Sequence, residues 1–180
     1  MKYIILDRDG VINQDSDAYI KSPEEWIPVE GSLEAIELLN QHDFHVVVAT
    51  NQSGLARGLY DEPTLYQIHA KMQRMVAEKG GRISAIFYCP HGPDDGCDCR
   101  KPEPGLLLQF AERAKISLEG IPFVGDTLRD IQAAQAVGAS PFLVKTGKGE
   151  KTLQDNPNLD VPVFDNLLEA AKEIIRHAQN

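Results

Sequence analysis

Cysteine is scarce in this sequence: three in 180 residues, an odd number and too few for a disulfide scaffold. On that count alone the chain reads as reduced and cytoplasmic, with incidental thiols. No stretch approaches the run of about 18 apolar residues that a membrane span needs. The opening residues, one lysine and four apolar residues before Asp7, lack the longer apolar core and small-residue cleavage site of a signal peptide. The chain is therefore expected to stay in the cytoplasm. A surplus of bases is also missing: 27 acids face 18 bases, for a formal charge of -9. That excludes general affinity for nucleic acid or an anionic membrane, since both require a cationic field. There is no repeat, low-complexity tract or long Ser/Gly linker, so one domain over residues 1–180 is expected, with residues 89–99 as an inserted loop.

What the chain does contain is ordinary globular material. Hydrophobic residues make up 42% and charged residues 25%, which excludes a disordered or fibrous chain. Residues 3–6, 44–49, 83–88, 121–124 and 141–144 are continuous apolar or β-branched runs, the pattern of strands buried on both faces. Helical patterns lie between them. Ser32–Gln41 has Ser32 as its expected N-cap, residues 63–79 end at Gly80-Gly81, and residues 104–115, 130–137 and Leu167–Ala178 complete the set. Residues 155–162 read as a loop leading to a last short run. Alternating strand and helix predicts an α/β fold, doubly wound around a parallel sheet.

In such sheets ligands bind outside the carboxyl ends of the strands, so the residues just after each run carry the functional signal. The first run leads into Asp7-Arg8-Asp9-Gly10, the second into Thr50-Asn51-Gln52-Ser53-Gly54, and the fourth into Gly125-Asp126-Thr127-Leu128-Arg129-Asp130. The third leads through the cysteines to Arg100-Lys101-Pro102, and the fifth to Thr146-Gly147-Lys148-Gly149. Each piece alone is compatible with a turn or helix cap. Together they gather several carboxylates at one sheet edge, where they repel unless a cation lies between them. Hard oxygen ligands point to Mg²⁺.

Every cysteine falls in one loop, as Cys89-x-His91, five residues, then Cys97-x-Cys99. Three thiols and an imidazole make a full tetrahedral set for a structural Zn²⁺, which would fix the loop leading into Arg100 and Lys101. The alternative is clustered surface thiols with one disulfide. The four other histidines, His42, His45, His69 and His177, read as surface or packing residues.

The ordered set Asp7-x-Asp9-Gly10, Thr50, Lys101-Pro102 and Gly125-Asp126-x-x-x-Asp130 resembles the haloacid dehalogenase-like phosphatase superfamily. The resemblance implies Asp7 as nucleophile and Asp9 as general acid and base. It implies Mg²⁺ held by Asp7, Asp126 and the carbonyl of Asp9, with Thr50 and Lys101 on the phosphoryl group. Asp130 is left with two roles, supporting the metal through water or capping the next helix. Residues 7–13, 50–58, the cysteine loop with Arg100-Lys101-Pro102, and 146–149 are similar to those of the heptose-1,7-bisphosphate 7-phosphatase family, relatives of histidinol-phosphate phosphatases.

That likeness spans nearly the whole chain. It implies a capless enzyme that removes the 7-phosphate of D-glycero-D-manno-heptose 1,7-bisphosphate during synthesis of lipopolysaccharide or other surface-polysaccharide precursors. Its partner would be a phosphorylated sugar and its state a monomer. Loops 13–21, 51–58 and the cysteine loop would enclose the site. Asp15, Ser16, Asp17 and Ala18 would contact the sugar, Thr50, Asn51, Gln52 and Ser53 would line the phosphate and sugar site, and Arg100 would recognise the second charged end. Arg57 and Lys148 are further candidate bases. Thr127, a candidate substrate contact, stands where some relatives carry a basic residue. The alternatives are a phosphatase for histidinol phosphate or another small monoester and, more remotely, a zinc-stabilised binding module without catalysis.

Overall fold

The computed structural model describes residues 1–180. Six parallel strands form one sheet: β1 (Lys2–Leu6), β2 (Phe44–Asn51), β3 (Ile83–Cys89), β4 (Pro122–Gly125), β5 (Ser140–Val144) and β6 (Val163–Phe164). Their spatial order is β3-β2-β1-β4-β5-β6, so the order reverses at β1. The helices α1 (Ser32–Gln41), α2 (Glu62–Glu78), α3 (Gly105–Ala114), α4 (Leu128–Ala136), α5 (Gly149–Asp155) and α6 (Leu167–Ala178) connect or follow them. No helix is long and apolar enough to cross a membrane.

The apolar runs are continuous because both sheet faces are covered. Alternate residues of β1 and β2 point to opposite sides, as the two-residue pleat requires. Ile4, Leu6, Val46 and Val48 pack with α1, α2 and α6, whereas Ile5, Val47 and Ala49 pack with α3 and α4. This is the doubly wound arrangement expected. Between β1 and α1 the chain makes only a 3-10 turn, Pro23–Glu25, so no cap domain is inserted there. Lys71 on α2 ties that segment down, donating to the carbonyls of Pro23 (2.7 Å) and Trp26 (2.8 Å).

Local details differ from the sequence reading. Ser32 does not cap α1: Gly31 holds the cap position at φ 85°, and the Ser32 hydroxyl instead donates to the Val11 carbonyl at 2.7 Å. Helix α4 starts two residues before the expected 130, because Thr127 and Asp130 form a reciprocal capping box. Helix α5 is an element that the apolar pattern does not predict. With Leu153 as its one large aliphatic residue it has no apolar period, and the Thr152 hydroxyl ties it to the Asp126 carbonyl at 2.8 Å.

Candidate active site

The ends of β1, β2 and β4 open into one crevice of about 340 Å³ at the switch point of the sheet. Asp7, Asp9, Asp126, Asp130 and Lys101 line its floor. Lys101 is 2% exposed, and its ammonium donates to Asp130 Oδ1 (2.7 Å), the Ala49 carbonyl (2.8 Å) and Asp7 Oδ1 (3.0 Å). Burial disfavours that charge, but Asp130 and Asp7 more than offset the effect and keep the amine protonated. Asn51 fixes the lysine's main chain from both sides: its amide donates to the Lys101 carbonyl (3.1 Å) and its Oδ1 accepts the Lys101 N–H (3.0 Å).

The three aspartates have different environments. Burial pushes the Asp7 carboxyl well above the usual range; Asp130, Asp126 and Asp9 add to the rise, against the pull of Lys101. Asp126 is pushed up to about 7, by burial first and by Asp130 next. Asp9 moves the other way. Burial alone would raise it, but the Arg8 guanidinium and hydrogen bonds from Asn13, Arg8 and Gln52 hold it below the usual range. Its Oδ1 accepts from Arg8 Nη2 (2.8 Å) and Asn13 Nδ2 (2.9 Å), and its Oδ2 from Gln52 Nε2 (3.1 Å). Thr50 is fully buried and joins this network by accepting from the same Gln52 amide at 2.9 Å.

Two glycines allow this crowding. Gly10 has φ +84°, and a Cβ there would run into the Asp126 carboxylate. A Cβ on Gly125 would collide with the Asp130 side chain. The Lys148 N–H donates to Asp126 Oδ2 at 2.9 Å. Asp126 Oδ1, by contrast, is buried without any hydrogen-bond partner. One oxygen each of Asp7, Asp126 and Asp130 lies within 4.8 Å of the other two. Both oxygens of Asp130 are already used, Oδ1 by Lys101 and Oδ2 by the amides of Asp126 and Thr127. Asp7 and Asp126 are thus hard-oxygen donors that repel each other and leave one atom orphaned, an arrangement that fits a divalent cation such as Mg²⁺.

Around the rim, Asp15, Ser16, Asp17, Asn51, Gln52, Ser53, Arg57, Arg100, Thr127 and Lys148 all line the crevice, where the sequence reading expected them. Ala18 and Thr50 do not. Ala18 is exposed beside Tyr19, whose φ of 68° turns the chain, and Tyr19 and Ile20 line the crevice instead; Thr50 is fully buried behind the wall, its hydroxyl taken by Gln52. The Lys148 ammonium is paired with Asp15, with Asp17 4.0 Å away.

The cysteine loop brings together the sulfurs of Cys89, Cys97 and Cys99, within 4.8 Å of one another, and all three thiols are free. Three soft donors fit a thiophilic ion such as Zn²⁺. His91 is not with them. Its Nδ1 lies 4.0 Å from Asp95 Oδ2, in an exposed turn where the same carboxylate also accepts the Gly92 N–H at 2.7 Å.

Comparison with known proteins agrees with this geometry. A family model described as HAD-hyrolase-like matches residues 98–170. The D-glycero-beta-D-manno-heptose-1,7-bisphosphate 7-phosphatase of Pseudomonas putida is 57% identical over 175 residues, covering 97% of this chain and 100% of that protein. The chain belongs to the haloacid dehalogenase-like hydrolases, in the family of these phosphatases. Among solved structures of the family, the D,D-heptose 1,7-bisphosphate phosphatase from Bordetella bronchiseptica, crystallised with magnesium and phosphate, superposes with a TM-score of 0.95. It is 56% identical, and the match covers 98% of this chain and 99% of that one. The enzyme of the same name from Burkholderia thailandensis is 44% identical with a TM-score of 0.77, covering 97% and 99%.

Several polar residues of this hydrolase site escape a reading of the sequence alone. Arg8 is fully buried, and its Nη1 meets His69 Nε2 at 3.1 Å. His69 is 6% exposed, and burial followed by Arg8 pushes its imidazole down to about 3, so it is a neutral packing partner. Asn13 and Tyr60 support Asp9 and Gln52, and Arg129 lines the crevice. The one signal for Arg8 is its place between two carboxylates at a strand end, where an unpaired charge would not be tolerated.

Proposed function

We propose that this chain is a Mg²⁺-dependent phosphatase that removes the 7-phosphate of D-glycero-D-manno-heptose 1,7-bisphosphate through a phosphorylated Asp7. The observation that carries the reading is the contrast between the two motif carboxylates. Asp7 faces the buried Lys101 and Asp126, whereas Asp9 is tied back by Arg8, Asn13 and Gln52. Family membership at 57% identity supports the choice of substrate.

Asp7 Oδ1 is oriented by Lys101 Nζ and by the Arg8 N–H at 2.8 Å, leaving the other oxygen to attack phosphorus. As that bond forms, the bond from phosphorus to the sugar oxygen breaks, and Asp9 gives the leaving oxygen a proton. The approaching dianion raises the proton affinity of Asp9, so the group that is ionised in the free protein carries a proton when needed. Water then attacks the phosphorylated Asp7, Asp9 takes its proton, and phosphate leaves. Lys101 neutralises charge on the nucleophile and the transferring group throughout, and Thr50, near the end of β2, orients the Gln52 amide that also holds Asp9. A magnesium ion held by Asp7, Asp126 and the Asp9 carbonyl would supply further neutralisation for two anions that must meet.

The cysteine cluster holds a structural Zn²⁺ in this reading, steadying the loop that delivers Arg100 and Lys101. Free thiols poised for a metal suit a reducing compartment such as the cytoplasm. The test is phosphate release from heptose 1,7-bisphosphate and from histidinol phosphate, each with and without Mg²⁺. Preferred, Mg²⁺-dependent turnover of the bisphosphate is expected. Preference for histidinol phosphate would reassign the substrate, and no Mg²⁺-stimulated release from any monoester would overturn the enzyme reading.

A further inference from the structure

Five bases line the crevice: Lys101, Lys148, Arg57, Arg100 and Arg129. The two lysines are engaged by carboxylates, Lys101 by Asp7 and Asp130, and Lys148 by Asp15. The three arginines make no ion pair, in a chain whose acids outnumber its bases by 27 to 18. Arg100 Nη1 reaches only the His91 carbonyl, at 3.5 Å, and the Arg57 guanidinium lies 5.6 Å from the Tyr19 ring centre. Arg100 and Arg129 also share the wall of an adjacent hollow under the cysteine loop, which Glu103 lines as well. Half-buried Arg100 thus shares one crevice with Arg57 and Arg129, three guanidinium groups with no carboxylate paired to any of them. Such a cluster is unfavourable until an anion joins it.

Thr127 is poorly suited to supply that anion's contact. Its hydroxyl donates to Asp130 Oδ2 at 3.0 Å and accepts the Asp130 N–H at 3.4 Å, so it is committed to the cap of α4. Two residues further on, Arg129 projects from the first turn of the same helix into the crevice wall.

We infer that Arg129, acting with Arg100, binds the second phosphate of a sugar bisphosphate in place of Thr127, and so sets the preference for doubly phosphorylated substrates. The inference rests on the proposed phosphatase activity. Arg57, which lines the same crevice, completes the anionic subsite. Lys148 is excluded from it by its pairing with Asp15.

The test uses the full-length, metal-loaded protein and its Arg129→Ala and Arg129→Lys variants, with heptose 1,7-bisphosphate and p-nitrophenyl phosphate as substrates. For Arg129→Ala, the ratio of kcat/KM on the bisphosphate to that on the monoester is expected to fall about tenfold, with the loss in KM. Arg129→Lys should recover part of it, because a point charge replaces the planar fork. An unchanged ratio, or equal losses on both substrates, would overturn the assignment and leave Arg129 a surface or structural residue. Failure of the wild-type protein to hydrolyse either substrate would instead bring down the phosphatase reading, and this one with it.

Discussion

Lys101 Nζ lies 2.7 Å from Asp130 Oδ1, closer than the 3.0 Å that separates it from Asp7 Oδ1. The lysine proposed to act on the phosphoryl group is therefore held chiefly by a carboxylate that is itself locked into the cap of α4. Asp130 links three things at once: the start of the helix, the amide of Asp126 and the ammonium beside Asp7. Its position also explains why the sequence left it between two roles, since neither included the lysine.

Replacing Asp130 with asparagine should be costly. The ammonium of Lys101 is buried, and removing one of its two carboxylates leaves it undercompensated, at a cost of about 3 kcal/mol by analogy with other broken buried pairs. Urea unfolding would measure the loss, and kcat should fall by at least about tenfold as the lysine shifts. A variant with native stability and rate would show that Asp7 alone suffices to hold Lys101.

Asp7→Asn should behave differently, losing turnover without losing the fold. Lys101 loses one partner here too, but burial and three neighbouring carboxylates oppose the Asp7 charge and outweigh that pairing, so an uncharged isostere relieves repulsion in the metal-free protein. Phosphate release at background level, together with a Tm at or above that of the metal-free wild type, is expected. Turnover at the wild-type rate would remove Asp7 from the role of nucleophile.

Magnesium and pH should be linked in a definite direction. Asp126 is raised to about 7 and Asp7 is raised as well, so between the usual carboxylate range and about pH 7 the metal-free native state binds more protons than the unfolded chain. Stability without metal therefore falls as pH rises through that window. A cation must displace those protons, so the gain in Tm on adding Mg²⁺ should be larger near pH 7.5 than near pH 5, with on the order of one proton released per ion near pH 6. Thermal scans across pH, with calorimetry in buffers of different ionisation heat, would check this. A larger gain at low pH would contradict it.

Zinc content tests the cysteine loop. Elemental analysis should find about one zinc per chain. Chelation followed by excess Mg²⁺ should leave a lower Tm and a lower rate, because the loop runs directly into Arg100 and Lys101. Cys99→Ser should lose the metal. His91→Ala should lose less, since its imidazole sits with Asp95 and apart from the thiols. Equal losses from the two variants would restore His91 as a full ligand.

Much of the architecture was legible because buried parallel strands announce themselves as unbroken apolar runs, as in Val46, Val47 and Val48. The residues after those runs were legible for the same reason, once the strands had a direction. Helix α5 and the cap of α1 were not, since one rests on a side chain reaching Asp126 and the other on Val11, contacts remote in sequence. The contact between Arg8 and His69 was not legible either, because it spans 61 residues.

By itself, the order of residues determined the sheet, its reactive edge and the identity of the charged groups there. Strand periodicity and the chemistry of Asp, Lys and Cys are local properties. Only the tertiary structure decided which charges meet. It gave Lys101 to Asp130, spent Thr127 on a helix cap and drew Asp15 onto Lys148, leaving Arg57, Arg100 and Arg129 without carboxylate partners. Those outcomes depend on distances between segments up to 133 residues apart, because electrostatic pairing follows space and not sequence.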